Sequence, residues 1–347
     1  MAEPARLADL TTLRLGGPAA TLVEATTTEE LVEAVRSADE SGTPLLLLGG
    51  GSNLVVSDDG FPGTVVRIAT SGIQHDADAC SGVTVTVAAG ETWDDLVAHA
   101  VDQGWVGLEA LSGIPGSVGG TPIQNVGAYG QEVADTIASV RCWDRLGRAY
   151  QTVFAADCGF GYRTSRFKEE PGRHVVLEVT FQFRVGNGLG APVNYAELAR
   201  SLGVLPGERA PATAVRERVL ALRRRKGMVL DASDHDTWSA GSFFTNPVLP
   251  TGQAADLPTD APRWERPDGS VKTSAAWLIE HAGFGRGFGN DVVRLSTKHP
   301  LALTNRGGAS TDDLLALARE VQQGVLDRFG IRLAHEPVLV GCALNPG

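Results

Sequence analysis

The chain has 347 residues, 43% hydrophobic and 20% charged, with a formal net charge of −11. That length accommodates two or three buried cores, the composition is globular, and the acidic balance argues against a general affinity for nucleic acid or an anionic membrane. The four cysteines, Cys80, Cys142, Cys158 and Cys342, have no C-x-x-C spacing, and no apolar run reaches signal or membrane-spanning length; this disfavours zinc, a disulfide framework, a dithiol redox pair and membrane insertion, and predicts a cytoplasmic protein.

In chain order, Thr21 to Ala25 reads as a strand, and Thr26 and Thr27 each precede a glutamate by three residues, an N-cap signature. A helix through Leu31, Val32, Val35 and Ala38 should end near Ser41-Gly42, followed by a strand from Pro44 to Leu48 and another at Leu54-Val55-Val56. This unit is expected to end near Ile68. Val83, Val85 and Val87 alternate with Thr84, Thr86 and Ala88 as in a half-buried strand. A short helix is predicted over Glu91 to Val101, capped by Thr92 and stopped by Gly104. Strands fit Ala138 to Trp143, Arg148 to Phe154 and Val175 to Arg184, and Gly186 to Gly190 reads as a flexible loop. Helices are predicted over Ala214 to Lys226, Ser274 to His281 and Thr311 to Phe329, the last stopped by Gly330. A polar, proline-bearing stretch runs from Leu249 to Pro267. A closing strand, Ile331 to Val340, carries Glu336 just before Pro337, where the chain must be extended.

Two glycine-rich turns stand out. They are Gly49-Gly50-Gly51-Ser52-Asn53, after the apolar run Leu45 to Leu48, and Ser112-Gly113-Ile114-Pro115-Gly116-Ser117-Val118-Gly119-Gly120. Such turns expose backbone N–H groups and bind phosphate oxygens. Neither is a standard nucleotide loop. After Gly49 and Gly51 a dinucleotide fingerprint would need glycine at 54, where this chain has Leu54, and no Lys-Ser/Thr pair closes either turn. Two phosphate cradles outside the usual motifs point to a large diphosphate cofactor, flavin first.

Other stretches admit two readings each. Gly159 to Lys168 interleaves Phe160, Tyr162 and Phe167 with Arg163, Arg166 and Lys168. It is either an anion-binding loop, with a guanidinium holding a carboxylate, or a solvated turn with aromatic anchors. Ser242, between Gly241 and Phe243-Phe244, is a small polar group in a dry setting or part of a structural turn; Ala240 rules out a nucleophile elbow. Glu336 is a paired structural glutamate or a functional one with a partner across the fold. Arg223-Arg224-Arg225-Lys226 closes a helix as a solvated end complementing its dipole, or as a cationic patch. The seven histidines show no metal-ligand spacing, so no metal is expected.

Taken together these stretches resemble the UDP-N-acetylenolpyruvoylglucosamine reductase family, from about Thr11 to Val340. The markers are Leu48 to Leu54, the block Gly113 to Gly130 with Pro122-Ile123-Gln124-Asn125-Val126-Gly127-Ala128-Tyr129, Gly161-Tyr162-Arg163, Gly241 to Pro247, and Glu336-Pro337. The resemblance implies an α+β fold: a two-part FAD-binding region of the vanillyl-alcohol-oxidase/PCMH type plus a C-terminal α+β substrate-binding domain. It implies FAD-binding subdomains over 1–68 and 69–213, a substrate domain over 214–330, and a C-terminal strand over 331–347. Noncovalent FAD contacts are implied at Gly49, Gly50, Gly51, Ser52, Asn53, Ser112, Gly113, Ile114, Pro115, Gly116, Ser117, Gly119, Gly120, Gln124, Asn125, Gly127, Ala128 and Tyr129.

Roles follow by the same resemblance. Ser242 is similar to the family's proton donor, and Arg163 and Glu336 to the pair that binds and polarises the enolpyruvyl group. Tyr195, in Val193-Asn194-Tyr195-Ala196, resembles the loop tyrosine of the longer subclass; Lys226, Asn246 and Lys272 resemble further sugar-nucleotide contacts. The implied activity is NADPH-dependent reduction of the enolpyruvyl ether to UDP-N-acetylmuramate. One departure is Lys298-His299, where some relatives carry glutamine before the Leu301-Ala302-Leu303 strand. A flavin-linked oxidase on the same fold and a non-catalytic nucleotide-binding protein are the alternatives.

Overall fold

Local cap chemistry sets the ends of the long helices. In the computed structural model, which describes residues 5–78 and 82–345, the helix Thr28–Ser41 begins with a reciprocal capping box between Thr27 and Glu30 and ends at Gly42. Ser310 and Asp313 form the same box ahead of Thr311–Phe329, which stops at Gly330. Each cap contributes about 1 kcal/mol. The helix expected from Glu91 begins only at Trp93, and the Thr92 hydroxyl does not cap it. Its first N–H is instead taken by the Gly116 carbonyl at 3.0 Å, so the second glycine turn closes that helix end. Cys80 and the chain's first four residues lie outside the described residues.

The chain divides into two compact units. One comprises residues 20–50 and 62–225. In it the strands Ala19–Ala25, Phe61–Ile68 and Leu45–Leu48 form a small sheet in that order, with Leu45–Leu48 parallel to Phe61–Ile68. A larger antiparallel sheet runs Ala149–Phe154, Ile137–Asp144, His174–Val185, Gly82–Ala88, Ile73–Asp78, with Trp105–Val106 paired to the end of His174–Val185. The alternation read from sequence is present: Val83, Val85 and Val87 are buried and pack with Trp93, Leu96, Val97, Phe181 and Phe183. The expected loop Gly186 to Gly190 is partly strand, because Leu189–Pro192 pairs with Arg209–Pro211.

The other unit comprises residues 1–19, 51–61 and 226–347. Its core joins Phe243, Phe244, Leu278, Ile279, Leu303, Leu314, Ala318, Val321 and Val325. Leu54–Val56 lies parallel to Val338–Val340. The closing strand expected over Ile331 to Val340 is thus regular only at its end. Pro337 has no N–H for a ladder, so the segment before it is extended and pairs separately, with Phe244 opposite His335.

Compactness divides the chain at places other than 68, 213 and 330. The segments 1–19 and 51–61 cluster with the C-terminal half. The helix expected to open a third domain, observed as Ala212–Arg225, instead buries Val215, Val219 and Leu222 against Ala110, Val193, Leu198 and Ala199 of the unit holding the second glycine turn.

Candidate active site

The two glycine turns meet in the 20–50/62–225 unit. A Cβ added to Gly49 would lie 2.4 Å from the Ser117 hydroxyl oxygen, and one added to Gly50 would lie 2.6 Å from the Gly116 Cα. At Gly50 the neighbour is backbone, so only glycine permits that approach. Among the described residues, the N–H groups of Gly116 and Ser117 donate to nothing else in the chain, as a diphosphate cradle requires. Other expected contacts are occupied by the chain itself. Gly113 N–H donates to the Asp94 carboxylate at 2.6 Å, the buried Ser112 hydroxyl to Glu109 O at 2.7 Å, and Gly119 N–H to Ala89 O at 2.8 Å. Gly51, in the other unit, is left-handed (φ 60°), and its Cβ would fall 1.9 Å from the Leu10 carbonyl oxygen. Gly51 is therefore glycine for its own unit's packing. Gly120 is exposed, with open space around its missing Cβ.

Arg163 is the third residue of a tight turn closed by Gly161 and Thr164, with φ 55°. Its guanidinium donates to Gly127 O at 2.8 Å and, at 3.4 Å, to Asn125 O. Asn125 is also left-handed, at φ 46°, and Tyr129, at φ 49°, tips the hairpin made by Gly127–Ala128 and Gln131–Glu132. A side chain in this region costs on the order of 1–3 kcal/mol, and such strain persists where surrounding structure enforces it, often at functional sites. Asn125, expected to touch the cofactor, is 1% exposed and uses its amide on Glu132, on Gly161 O and on Ala134 N–H. It ties the Arg163 turn to the hairpin. The stretch from Gly159 to Lys168 is therefore no solvated turn. Phe167 is buried, and Lys168 Nζ donates to Arg163 O at 3.0 Å.

Beneath the second turn lies an ionic group that sequence reasoning missed. Asp94 accepts two hydrogen bonds from Arg216, at 2.6 and 2.9 Å, besides that of Gly113. Burial raises its carboxyl, but Arg216, the Gly113 N–H and the charge of Arg223 outweigh it and hold the group below the ordinary carboxylate range. Burial pushes Arg223 down to about 10, opposed by Tyr129 and Asp94, so this cation is not part of a solvated helix end. A folded pKa below the unfolded value means that Asp94 contributes stability above the ordinary carboxyl range, lost as pH falls through the folded value. Asp94→Asn is expected to cost on the order of 2 kcal/mol and lower the thermal midpoint at neutral pH. An unchanged midpoint would refute the role.

Tyr195 is half-exposed and precedes the helix Ala196–Leu202, so it stands at a helix end rather than within a free loop. Its ring meets Tyr129 edge-on, with centroids 5.4 Å apart. In the other unit, Glu336 N–H donates to Phe243 O at 2.8 Å and Thr245 N–H to Ala334 O at 3.0 Å. This pairing, absent from any local sequence signal, sets Ser242 and Glu336 on adjacent extended segments. The half-buried Ser242 hydroxyl holds no hydrogen bond within the chain among the described residues. Asn246 Oδ1 accepts Ala275 N–H at 2.9 Å, at the start of the helix Ala275–His281. Lys272 lies on the strand Val271–Thr273, its ammonium 5.7 Å from the Trp264 ring centre. Lys226 directly follows the helix Ala212–Arg225. Lys298 is paired with Asp234, which raises its pKa, and His299 Nδ1 accepts Leu301 N–H at 3.1 Å.

Comparison with known proteins agrees across the chain. Residues 19–152 match the model of an FAD binding domain, and residues 233–340 match that of the UDP-N-acetylenolpyruvoylglucosamine reductase C-terminal domain. The UDP-N-acetylenolpyruvoylglucosamine reductase of Cutibacterium acnes is 59% identical over 345 residues, covering 99% of this chain and 91% of that protein. Its counterpart from Streptomyces avermitilis is 58% identical over 350 residues, covering 98% and 95%. The crystal structure of UDP-N-acetylenolpyruvylglucosamine reductase from Thermus caldophilus is similar with a TM-score of 0.65 at 28% identity, covering 98% of this chain and 99% of that one. With its α+β architecture, its FAD-binding N-terminal domain and its reductase-type C-terminal domain, the chain belongs to the UDP-N-acetylenolpyruvoylglucosamine reductase family.

Proposed function

We propose that this chain is a cytoplasmic, FAD-dependent reductase that uses NADPH to convert the enolpyruvyl ether of UDP-N-acetylglucosamine-enolpyruvate into the lactyl ether of UDP-N-acetylmuramate, for peptidoglycan synthesis. The observation carrying it is the backbone pairing that sets Ser242 beside Glu336, in a chain of this family. Gly49, Gly50, Gly116 and Ser117 would hold the FAD diphosphate without a covalent bond, and Gly120, whose N–H is committed to Ser117 O, would leave room beside it. Once reduced by NADPH, FAD supplies the hydride for the terminal vinyl carbon. Arg163 and Glu336 hold and polarise the enolpyruvyl group. Arg163 is already anchored on Gly127 O, so it faces the charge developing at the carboxylate with little reorganisation. Ser242 gives its hydroxyl proton to the carbon bearing that carboxylate; a weak acid suffices because the carbon is strongly basic at that moment. Asn246 has its oxygen committed to Ala275 N–H, which turns its amide NH₂ toward a substrate acceptor. Lys226 and Lys272 balance the phosphates on an otherwise acidic protein. Cytoplasmic placement fits the free thiols of Cys142, Cys158 and Cys342.

The test is an anaerobic spectrum of the purified protein. NADPH should bleach the flavin band and the enolpyruvyl substrate should restore it; a band that only oxygen restores would identify an oxidase instead. Tyr195→Ala and Lys226→Ala are each expected to raise the KM for the sugar nucleotide about tenfold or more while NADPH bleaches the flavin at the normal rate. An unchanged KM in both would return the two residues to packing and helix-end roles.

A further inference from the structure

Glu109 is fully buried, in the short 3-10 turn Glu109–Leu111, three residues before the second glycine turn. Its carboxylate collects three N–H donors from separate segments. Oε2 accepts Gly107 N–H at 3.1 Å and the Gln131 side-chain amide at 3.1 Å, and Oε1 accepts Ala191 N–H at 3.2 Å. Gln131 in turn accepts Ala110 N–H at 2.8 Å through its own Oε1. Room for the carboxylate is provided at Gly190, where a Cβ would lie 3.0 Å from Glu109 Oε1.

The two tethered segments carry the two tyrosines that touch. Gln131 is opposite Ala128 in the hairpin tipped by the left-handed Tyr129. Ala191 lies on Leu189–Pro192, the strand that leads into Tyr195. Tyr129 packs against the core that holds Ala110, Val193 and Leu198. A cavity of about 690 Å³, lined among others by Gly130, Gln131, Ala191, Pro192 and Asn194, lies against both. With empty space on the other side, a directional tether adds to that packing in setting where the tyrosine edges sit.

We propose that Glu109, acting with Gln131, is a positioning residue that holds Tyr195 against Tyr129 for sugar-nucleotide binding. It touches no reacting atom; it acts through Tyr195, and so rests on the reading of Tyr195 as a substrate contact. Glu109→Gln keeps the shape but turns an NH₂ toward donors on one side, and Gln131→Leu removes one donor while leaving the carboxylate with its two backbone partners. Each is expected to raise the sugar-nucleotide KM about tenfold, a buried hydrogen bond's worth, with kcat within about twofold and flavin content unchanged. In a Tyr195→Ala background neither should raise KM further, because Tyr195 is the residue through which they act on the sugar nucleotide, Tyr129 serving only as the ring it rests against. Should Tyr195→Ala itself keep the wild-type KM, the lid reading fails and takes the proposal with it. A raised KM in Tyr195→Ala beside wild-type KM in Gln131→Leu and in any folded Glu109→Gln would overturn the proposal alone, as would full multiplication of the effects in the double variants.

Discussion

Ser242→Ala is expected to bleach its flavin with NADPH at near the normal rate and to turn over the enolpyruvyl substrate about 10²–10⁴-fold more slowly, on the order of 3–5 kcal/mol of barrier. The division follows from where the hydroxyl works. It is needed only when the carbon bearing the carboxylate takes up a proton, and has no part in accepting hydride from NADPH. The side chain is half-buried and its hydroxyl is not committed within the chain among the described residues, so its removal breaks no internal hydrogen bond. Folding and flavin content should therefore be unchanged. Ser242→Cys should fall between wild type and alanine, since a thiol can donate a proton but from a different position. Rapid-mixing absorbance resolves the two phases. If Ser242→Ala returned the flavin band with substrate as fast as wild type, the proton would come from another donor and the serine would be structural.

What could be read in advance was what short-range chemistry controls. The N-cap signature at Thr27, the glycine stops at Gly42 and Gly330, and the Val83-Val85-Val87 alternation each lie within a few residues, and the structure shows them. The strand Phe61–Ile68 was not anticipated; Pro62 and Gly63 are poor strand formers, yet proline is tolerated near the start of a strand. The helix Ala212–Arg225 was legible, but not which unit would bury its Val215-Val219-Leu222 face. The same limit governs the site. The glycine turns were legible because their unusual composition is local, whereas the approach of Gly50 to Gly116 is not. The commitments of Asn125, Ser112 and Gly113 to internal partners are likewise matters of three-dimensional packing. Asp94 and Arg216 are separated by 122 positions and carry no motif, so only the fold brings them together.

Gly120→Val is expected to give folded protein that purifies with less colour, with FAD binding weakened about 5- to 150-fold. The choice of glycine matters. At Gly51 a methyl would strike the Leu10 carbonyl and force a side chain to adopt φ 60°; at Gly119 it would lie 2.6 Å from Ala89 Cβ. Substitutions there cost stability whether or not a cofactor is near, so a loss of colour would report misfolding as readily as a blocked cradle. Gly120 has no such conflict. The nearest atom to an added Cβ is Ser117 Oγ at 4.0 Å, and the position is exposed. A valine there would extend from the second glycine turn into open space, and a clash with a diphosphate bound at that turn would cost about 1–3 kcal/mol, roughly 5- to 150-fold in affinity. Two measurements separate the cases: the ratio of flavin to protein absorbance after purification, and the thermal midpoint of each protein stripped of flavin. Gly51→Ala should lower the stripped midpoint, while Gly120→Val should leave it near wild type and lose flavin. A Gly120→Val protein that keeps its full complement of FAD would place the diphosphate elsewhere than the second glycine turn.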